Sequence, residues 1–313
     1  MAKSAFLPDG MRFAKAVPVL VLAVLAASAF AQSAATPKRK GRAAAPPPAG
    51  ALPKAQDMRL LQPGELPLAA KGAIVLDGVT GKTLYEKDSD TPYFPASTTK
   101  VMTALLVIES GGLDHVIEVT EEDARVGESG LSIKTGDRFT RLEALYGLML
   151  KSANDVAHAL ARDNAGTMLA FAEKMTLRAR ELGATNTSFK NPHGLHHPQH
   201  YTSARDLAVI TRAAMEQPLF RKIVATRYHT WIAATGPWEL RNHNRLLGEF
   251  EGCTGVKTGY TNPAQHTLAT AALRQNREVI GAVLYSHKQG KWEDSKLLLT
   301  FGLENENGRV ATP

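Results

Sequence analysis

The final third of this chain most constrains what it can fold into. The segments "VKTGYT" (256–261), "HTLATAALR" (266–274) and "EVIGAVLYS" (278–286) read as consecutive strands, with "QNR" (275–277) a tight connection. Strands joined so closely must run antiparallel, since a parallel crossover needs a dozen or more residues. "WEDSKLLLTFGL" (292–303) then reads as an amphipathic helix that closes the unit. Near the other end, "AIVLD" and "TLYEKD" flank the turn "GVTGK" (78–82) as a hairpin. Between these strand-rich ends the periodicity is helical. A helix is expected over 97–109, stopped by Gly111 and Gly112. Another begins after the Thr140/Glu143 capping box and ends near Ser152. Two more span about 167–182 and 203–216, the last capped by Thr202 or Ser203. The expected fold is α/β of the α+β type: an antiparallel sheet of about five strands flanked by helices, with a helical subdomain inserted.

The formal net charge of +7 raises the question of a nucleic-acid partner, and its location answers it. Residues 1–56 hold eight basic residues against Asp9 alone, so everything after them is balanced. A basic tail on a neutral globule argues against a nucleic-acid enzyme; it fits weak contact with an anionic surface such as a membrane or cell wall, or simply a solvated linker. Within that tail, Lys3, Arg12 and Lys15 precede "AVPVLVLAVLAASAF", and Ala29-Phe30-Ala31 has the small-x-small pattern of a signal cleavage site. The apolar run, interrupted by Pro18, is shorter than the roughly 20 residues of a spanning helix, so a cleaved export signal over 1–31 and a periplasmic destination are expected. Met1 and Met11 both serve as plausible starts. Residues 32–70 read as a flexible basic Ala/Pro-rich linker and lead-in, 71–303 as one folded catalytic unit, and 304–313 as a short tail without an anchor domain. Cys253 is the only cysteine, which rules out an internal disulfide and reads as a buried thiol.

Three short patterns carry chemistry. Ser97 and Lys100, in "PASTTKVM", are three apart at a helix start, so their side chains share a face. A serine hydroxyl needs a neighbour to take its proton, and a lysine can do so only where burial or adjacent positive charge keeps its amine neutral. Taken alone, the pair is equally an N-cap serine with a surface lysine. "KSANDV" supplies Ser152 and Asn154, which alone would pass for helix caps. Lys-Thr-Gly occurs twice. Lys134-Thr135-Gly136 runs into Asp137 and a helix cap and reads as a turn; Lys257-Thr258-Gly259 lies on a strand, where Gly259 would admit a substrate backbone. The second copy is the one expected to act.

The order Ser-x-x-Lys, Ser-x-Asn, Lys-Thr-Gly, with Ser152 55 residues and Lys257 160 residues after Ser97, resembles the penicillin-recognising serine acyl-transferases. "LMLKSANDVAHALA", "NPHGLHHPQHYTSARDLA" and "GVKTGYTNPA" are similar to the low-molecular-mass penicillin-binding proteins, the serine-type D-alanyl-D-alanine carboxypeptidases, over about Ala70 to Leu303. The resemblance implies a penicillin-binding/β-lactamase-like transpeptidase fold and trimming of the terminal D-alanine from peptidoglycan stem pentapeptides through an acyl-enzyme. Ser97 would be the nucleophile, Lys100 its base and Ser152 the proton relay. Asn154, Lys257, Thr258, Gly259 and Tyr260 would bind substrate, with the amides of Ser97 and Tyr260 as oxyanion hole. It implies no cofactor, no metal, β-lactams as covalent inhibitors, and a monomer. In "RNHNRLL", His243 takes a slot where relatives can carry an arginine that assists the carboxylate grip, with Arg245 nearby; neither is assigned a role.

The run His193, His196, His197, His200 has a spacing that invites a metal, but Pro192, Gly194 and Pro198 make it a turning loop, and no metal is expected. A class A β-lactamase would need a deacylating glutamate between Ser-x-Asn and Lys-Thr-Gly, and "TNTSFKNPHGLHHP" contains no acid. A non-enzymatic wall-binding or antibiotic-sensing module is disfavoured because the nucleophile, lysine and anion grip are all intact. A D,D-endopeptidase acting on cross-links stays as the alternative activity.

Overall fold

The computed structural model describes residues 66–233 and 236–304; the expected export signal, the linker up to residue 65 and the tail beyond 304 lie outside the described residues. Five strands, β1 (Gly72–Asp77), β2 (Thr83–Lys87), β7 (Cys253–Thr261), β8 (Gln265–Arg274) and β9 (Arg277–Ser286), form one antiparallel sheet in the order β2-β1-β9-β8-β7. The first and last of the described strands thus pair inside the sheet, β1 against β9. The strands alternate between two cores, as a pleat demands. Ile74, Leu76, Ala269, Ala271, Ile280 and Ala282 face the larger core, whereas Ala73, Val75, Leu268, Ala272, Val279 and Val283 face the smaller.

The larger core is completed by helices α1 (Lys100–Ser110), α2 (Glu121–Ala124), α3 (Arg141–Tyr146), α4 (Asn154–Ala165), α5 (Met168–Glu181), α6 (Ala204–Met215) and α7 (Pro218–Ala225). The fully buried Leu105, Leu145, Leu160 and Phe171 lie there. The smaller core is sealed by α8 (Leu246–Glu249) and α9 (Gly290–Glu304), whose Leu297, Leu298 and Phe301 pack on the sheet. Two small antiparallel pairs complete the described elements: β3 (Val116–Glu118) with β4 (Arg138–Thr140), and β5 (Tyr228–Ala233) with β6 (Gly236–Arg241).

Several expectations shift for identifiable reasons. The packed fold begins by Leu66, because Leu66, Leu68 and Ala70 are buried and the amides of Ala69 and Ala70 donate to Asp294. The Thr140 hydroxyl does accept from the Glu143 amide, but the Glu143 carboxylate turns away to His229 Nε2 at 2.9 Å, so only half of the capping box forms. That helix gives way to a wider π turn over Gly147–Lys151, a form enriched at functional sites. Ser203, rather than Thr202, caps α6. The first Lys-Thr-Gly is a turn, with Gly136 at φ 88° and Asp137 N donating to Lys134 O.

Candidate active site

The nucleophile candidate sits in a turn that cannot relax. Residues Ala96–Thr99 form one 3-10 turn directly before α1, so Ser97 lies in the turn and Lys100 opens the helix. Ala96 is held at φ 49°, a left-handed conformation unusual for alanine, and such strain persists only where the surroundings over-determine it. Here they do. Pro95 O accepts from both Thr98 Oγ1 (2.7 Å) and Thr267 Oγ1 of β8 (2.9 Å). On the other side Gly194 (φ 89°) lies so close that a Cβ there would stand 1.8 Å from Ala96 O.

Lys100 is fully buried. Its Nζ donates to Asn154 Oδ1 and to the His193 carbonyl, both at 2.7 Å, and lies 3.1 Å from Ser97 Oγ. Burial, and then the charge of Lys257, hold its amine well below the ordinary lysine range. A neutral amine has two N–H donors and one lone pair. With both donors taken by Asn154 and His193, the lone pair is left for the Ser97 hydroxyl, which is the arrangement a general base needs.

Ser152 and Asn154 come from the junction of the π turn and α4. Ser152 adopts φ 64°, and Ala153, not Ser152 or Asn154, occupies the N-cap position. Both polar side chains are therefore released from capping. Asn154 Oδ1 serves Lys100, while its Nδ2 donates to Gly127 O at 3.3 Å. Asn154 is thus committed to the lysine as well as being available to a ligand. Among the described residues the hydroxyls of Ser152 and Thr258 have no hydrogen-bond partner.

Lys257, Thr258, Gly259 and Tyr260 lie on β7, the edge of the sheet. Lys257 is buried, and among the described residues its amine hydrogen-bonds only the Thr258 carbonyl, at 3.0 Å, and forms no ion pair; burial, then Lys291, push it down to about 7. The neighbour of Gly259 is not the one expected from its sequence context. A Cβ there would stand 2.9 Å from Ser97 N and 2.3 Å from Thr267 Oγ1, so the glycine admits the nucleophile's own turn. This close approach brings the residue before Tyr260 against the Ser97 amide, the two positions from which oxyanion donors are expected.

The sequence reading did not anticipate the wall behind Lys100. Asn191–Leu195 folds on itself through Asn191 Oδ1, which accepts from the amides of His193 and Gly194. Its Pro192 carbonyl takes the Thr103 hydroxyl at 2.6 Å. His200 binds Thr99 Oγ1 through Nε2 (2.8 Å) and accepts from Lys190 N through Nδ1 (3.1 Å); burial pushes it down to about 3, so it stays neutral. The histidine run therefore braces the nucleophile helix.

His243 lies where burial, then Lys257, hold its imidazole down to about 4, although over a third of the residue remains exposed. Arg245 is spent on Glu249 (2.8 Å) and lies over the Trp292 ring. A third lysine, Lys291 on α9, is pushed down to about 8 by burial and Arg245, and reaches His266 Nδ1 at 3.3 Å. Cys253 is a free thiol whose burial raises it to about 11, too high for a ready thiolate.

A serine hydroxyl 3.1 Å from a buried lysine amine, with a second buried lysine on the edge strand of a five-stranded antiparallel sheet, is the arrangement expected of a penicillin-recognising serine acyl-transferase. Comparison with known proteins agrees: the D-alanyl-D-alanine carboxypeptidase family matches residues 59–288, and the chain belongs to that family. It is similar to the D-alanyl-D-alanine carboxypeptidase DacF of Bacillus subtilis, 36% identical over 227 residues, which cover 70% of this chain and 58% of that protein. It is also similar to DacB2 of Mycobacterium tuberculosis, 34% identical over 235 residues, 73% of this chain and 80% of that protein. Among solved structures, the Streptomyces K15 DD-transpeptidase matches with a TM-score of 0.72 at 33% identity over 75% of this chain and 97% of that one.

Proposed function

We propose that this chain is an exported, penicillin-sensitive D-alanyl-D-alanine carboxypeptidase that removes the terminal D-alanine from peptidoglycan stem pentapeptides. The observation that carries the reading is a pair of buried lysines with no carboxylate partner among the described residues: Lys100, 3.1 Å from the Ser97 hydroxyl, and Lys257 on the edge strand β7. Lys100, held well below the ordinary lysine range, is suited to take the hydroxyl's proton, and Lys257, pushed down to about 7, gains charge as an anion arrives.

The peptide lies along the open edge of β7, adding main-chain hydrogen bonds as strands do. Its terminal carboxylate takes the Lys257 ammonium and the Thr258 hydroxyl, a charge-assisted pair that also draws the Lys257 proton back on. Asn154 Nδ2 turns toward the peptide backbone. Lys100 accepts the Ser97 proton as Oγ attacks the penultimate D-alanine carbonyl, and the oxyanion falls to the amides of Ser97 and Tyr260. Collapse breaks the C–N bond, Ser152 relays the proton to the departing amine, and D-alanine leaves. Water, activated by the same lysine, attacks the ester and frees the trimmed peptide. β-Lactams acylate Ser97 by the same route and leave slowly.

An N-terminal export signal places the enzyme in the periplasm, working as a monomer with its basic linker touching membrane or wall. No helix among the described residues is long and apolar enough to cross a membrane. The test is mass spectrometry of purified pentapeptide fragments after incubation with the protein and with Ser97→Ala. Loss of one alanine mass in the first and not the second is expected; an unchanged pentapeptide with the intact serine refutes the reading.

A further inference from the structure

The loop that follows α2 passes beside the active site and is held there by the start of α4. Asn154 N donates to Ser129 O at 2.7 Å, and Asn154 Nδ2 donates to Gly127 O at 3.3 Å. Ser129 Oγ donates back to Lys151 O at 3.3 Å. One residue further along α4, the Asp155 carboxylate accepts from the amides of Leu131 (3.0 Å) and Ile133 (3.3 Å). Residues 127–133 are thus gripped at both ends by the same helix turn, whose Asn154 Oδ1 also binds the Lys100 amine. The loop is a fixed part of the site's rim.

Glu128 stands between the two carbonyls that Asn154 holds. Its backbone is left-handed, at φ 66°, a conformation that an L side chain keeps only under constraint and that clusters at ligand clamps. The residue is exposed, and among the described residues its carboxylate has no hydrogen-bond or ion-pair partner. Burial and Lys257 lower the Lys100 amine, and the two carboxylates that act against them are Asp155 and Glu128. Asp155 is already occupied by the amides of Leu131, Ile133 and Val156. Glu128 is therefore the one acid beside the nucleophile that is free to take a cation.

We propose that Glu128 determines specificity by holding a free ammonium group on the side chain of the residue that precedes the D-alanyl-D-alanine pair. The inference rests on the carboxypeptidase reading above. In that reading the acyl half of the stem peptide runs past Asn154, so its next residue lies over the loop that Asn154 holds. In a stem peptide that residue is a diamino acid, whose side-chain amine is protonated at neutral pH until it is acylated. The site then reads its substrate by charge at two points: Lys257 takes the terminal carboxylate and Glu128 the amine upstream. Acylating the amine removes the second point, so the enzyme favours stems that have not yet donated that amine to a cross-link.

The experiment measures D-alanine release by the full chain and by Glu128→Gln from two pentapeptides, one with lysine as its third residue and one with that lysine amine acetylated. Penicillin acylation of Ser97 is followed alongside. The wild type is expected to favour the free amine by about fivefold in kcat/KM, the scale of a solvent-screened ion pair, and chiefly through KM. The ratio is expected to fall close to one in Glu128→Gln and below one in Glu128→Lys. A wild type indifferent to acetylation overturns the proposal, as does a preference that survives in Glu128→Gln. Equal loss on both peptides and on penicillin also overturns it, because Glu128 then acts through Lys100 or the shape of the loop. If the wild type trims neither peptide, the carboxypeptidase reading itself fails and the specificity fails with it.

Discussion

Gly259→Ala isolates the contact on which the site's geometry depends. A Cβ at this position would stand 2.3 Å from Thr267 Oγ1, 2.9 Å from Ser97 N and 3.1 Å from Ala96 Cβ, all inside ordinary contact at 3.4 Å. The hydroxyl can be displaced, but the Ser97 amide belongs to a turn pinned by Pro95 O and by Gly194. It must retreat by about half an ångström, or β7 must. Overpacking of this kind costs about 1–3 kcal/mol of stability. Moving an oxyanion donor and the nucleophile together costs about 10²-fold in rate, or about 2.7 kcal/mol of barrier. The assay is penicillin acylation of Ser97 followed by mass spectrometry, with Tm measured alongside, for Gly259→Ala, Thr267→Ala and the double variant. Removing the threonine relieves the first clash and not the second, so the double variant should regain part of the Tm and little of the acylation rate. Acylation of Gly259→Ala within threefold of wild type, or full recovery in the double variant, would refute the argument.

Three further outcomes follow from the same structure. Lys257 binds its proton at about 7 in the fold and in the ordinary lysine range when unfolded, and Lys291, at about 8, has the same sign. The unfolded chain thus holds more protons between those limits, so Tm should rise as pH goes from 7 to 9, and Lys257→Met should flatten the rise; an unchanged slope sinks the assignment. Asp123, buried, holds His158 Nδ1 at 2.7 Å and Arg162 Nη2 at 2.8 Å away from the active site. Asp123→Ala should cost about 3–5 kcal/mol in urea unfolding because the partners lose their only shared anion, and a loss under 1 kcal/mol contradicts this. The stretch Thr185–Pro198 supplies no acid, so the penicilloyl ester should survive far longer than the acyl-peptide intermediate; rapid return of free enzyme in a chase experiment would count against that.

Where the sequence was legible, a local period or an exclusive spacing carried the information. The strands β7, β8 and β9 announce themselves by composition and tight connections, and Ser97, Lys100, Ser152 and Lys257 by patterns with few competitors in the chain. The three-residue strands β3 and β4 have too short a window to show a period. The β5–β6 hairpin went unread because its inward face is defined by distant partners: Trp231 packs on Phe139, at 5.3 Å between ring centroids, and over Gly147. The role of Asn191–Leu195 was hidden for a similar reason. Its contribution to Lys100 is a backbone carbonyl, and a carbonyl has no residue type to recognise.

The buried lysines explain why so much of the fold converges on a few atoms. Lys100 comes from α1, Lys257 from β7 and Lys291 from α9, and each is depressed by burial before any neighbour acts. Packing three amines in one region opposes folding, since each would sooner be solvated and charged. The chain offsets that with two apolar cores on either face of a single sheet, and without a disulfide. Each of the three lysine-bearing elements is anchored in one of those cores: α1 through Leu105, β7 through Val256 and α9 through Leu298. The amines therefore cannot separate to recover hydration without unpacking the sheet. On the proposed mechanism that cost is relieved by an incoming carboxylate, which binds best where a cation most lacks a partner. The cost of holding the lysines together and the substrate affinity proposed above would then have the same physical origin.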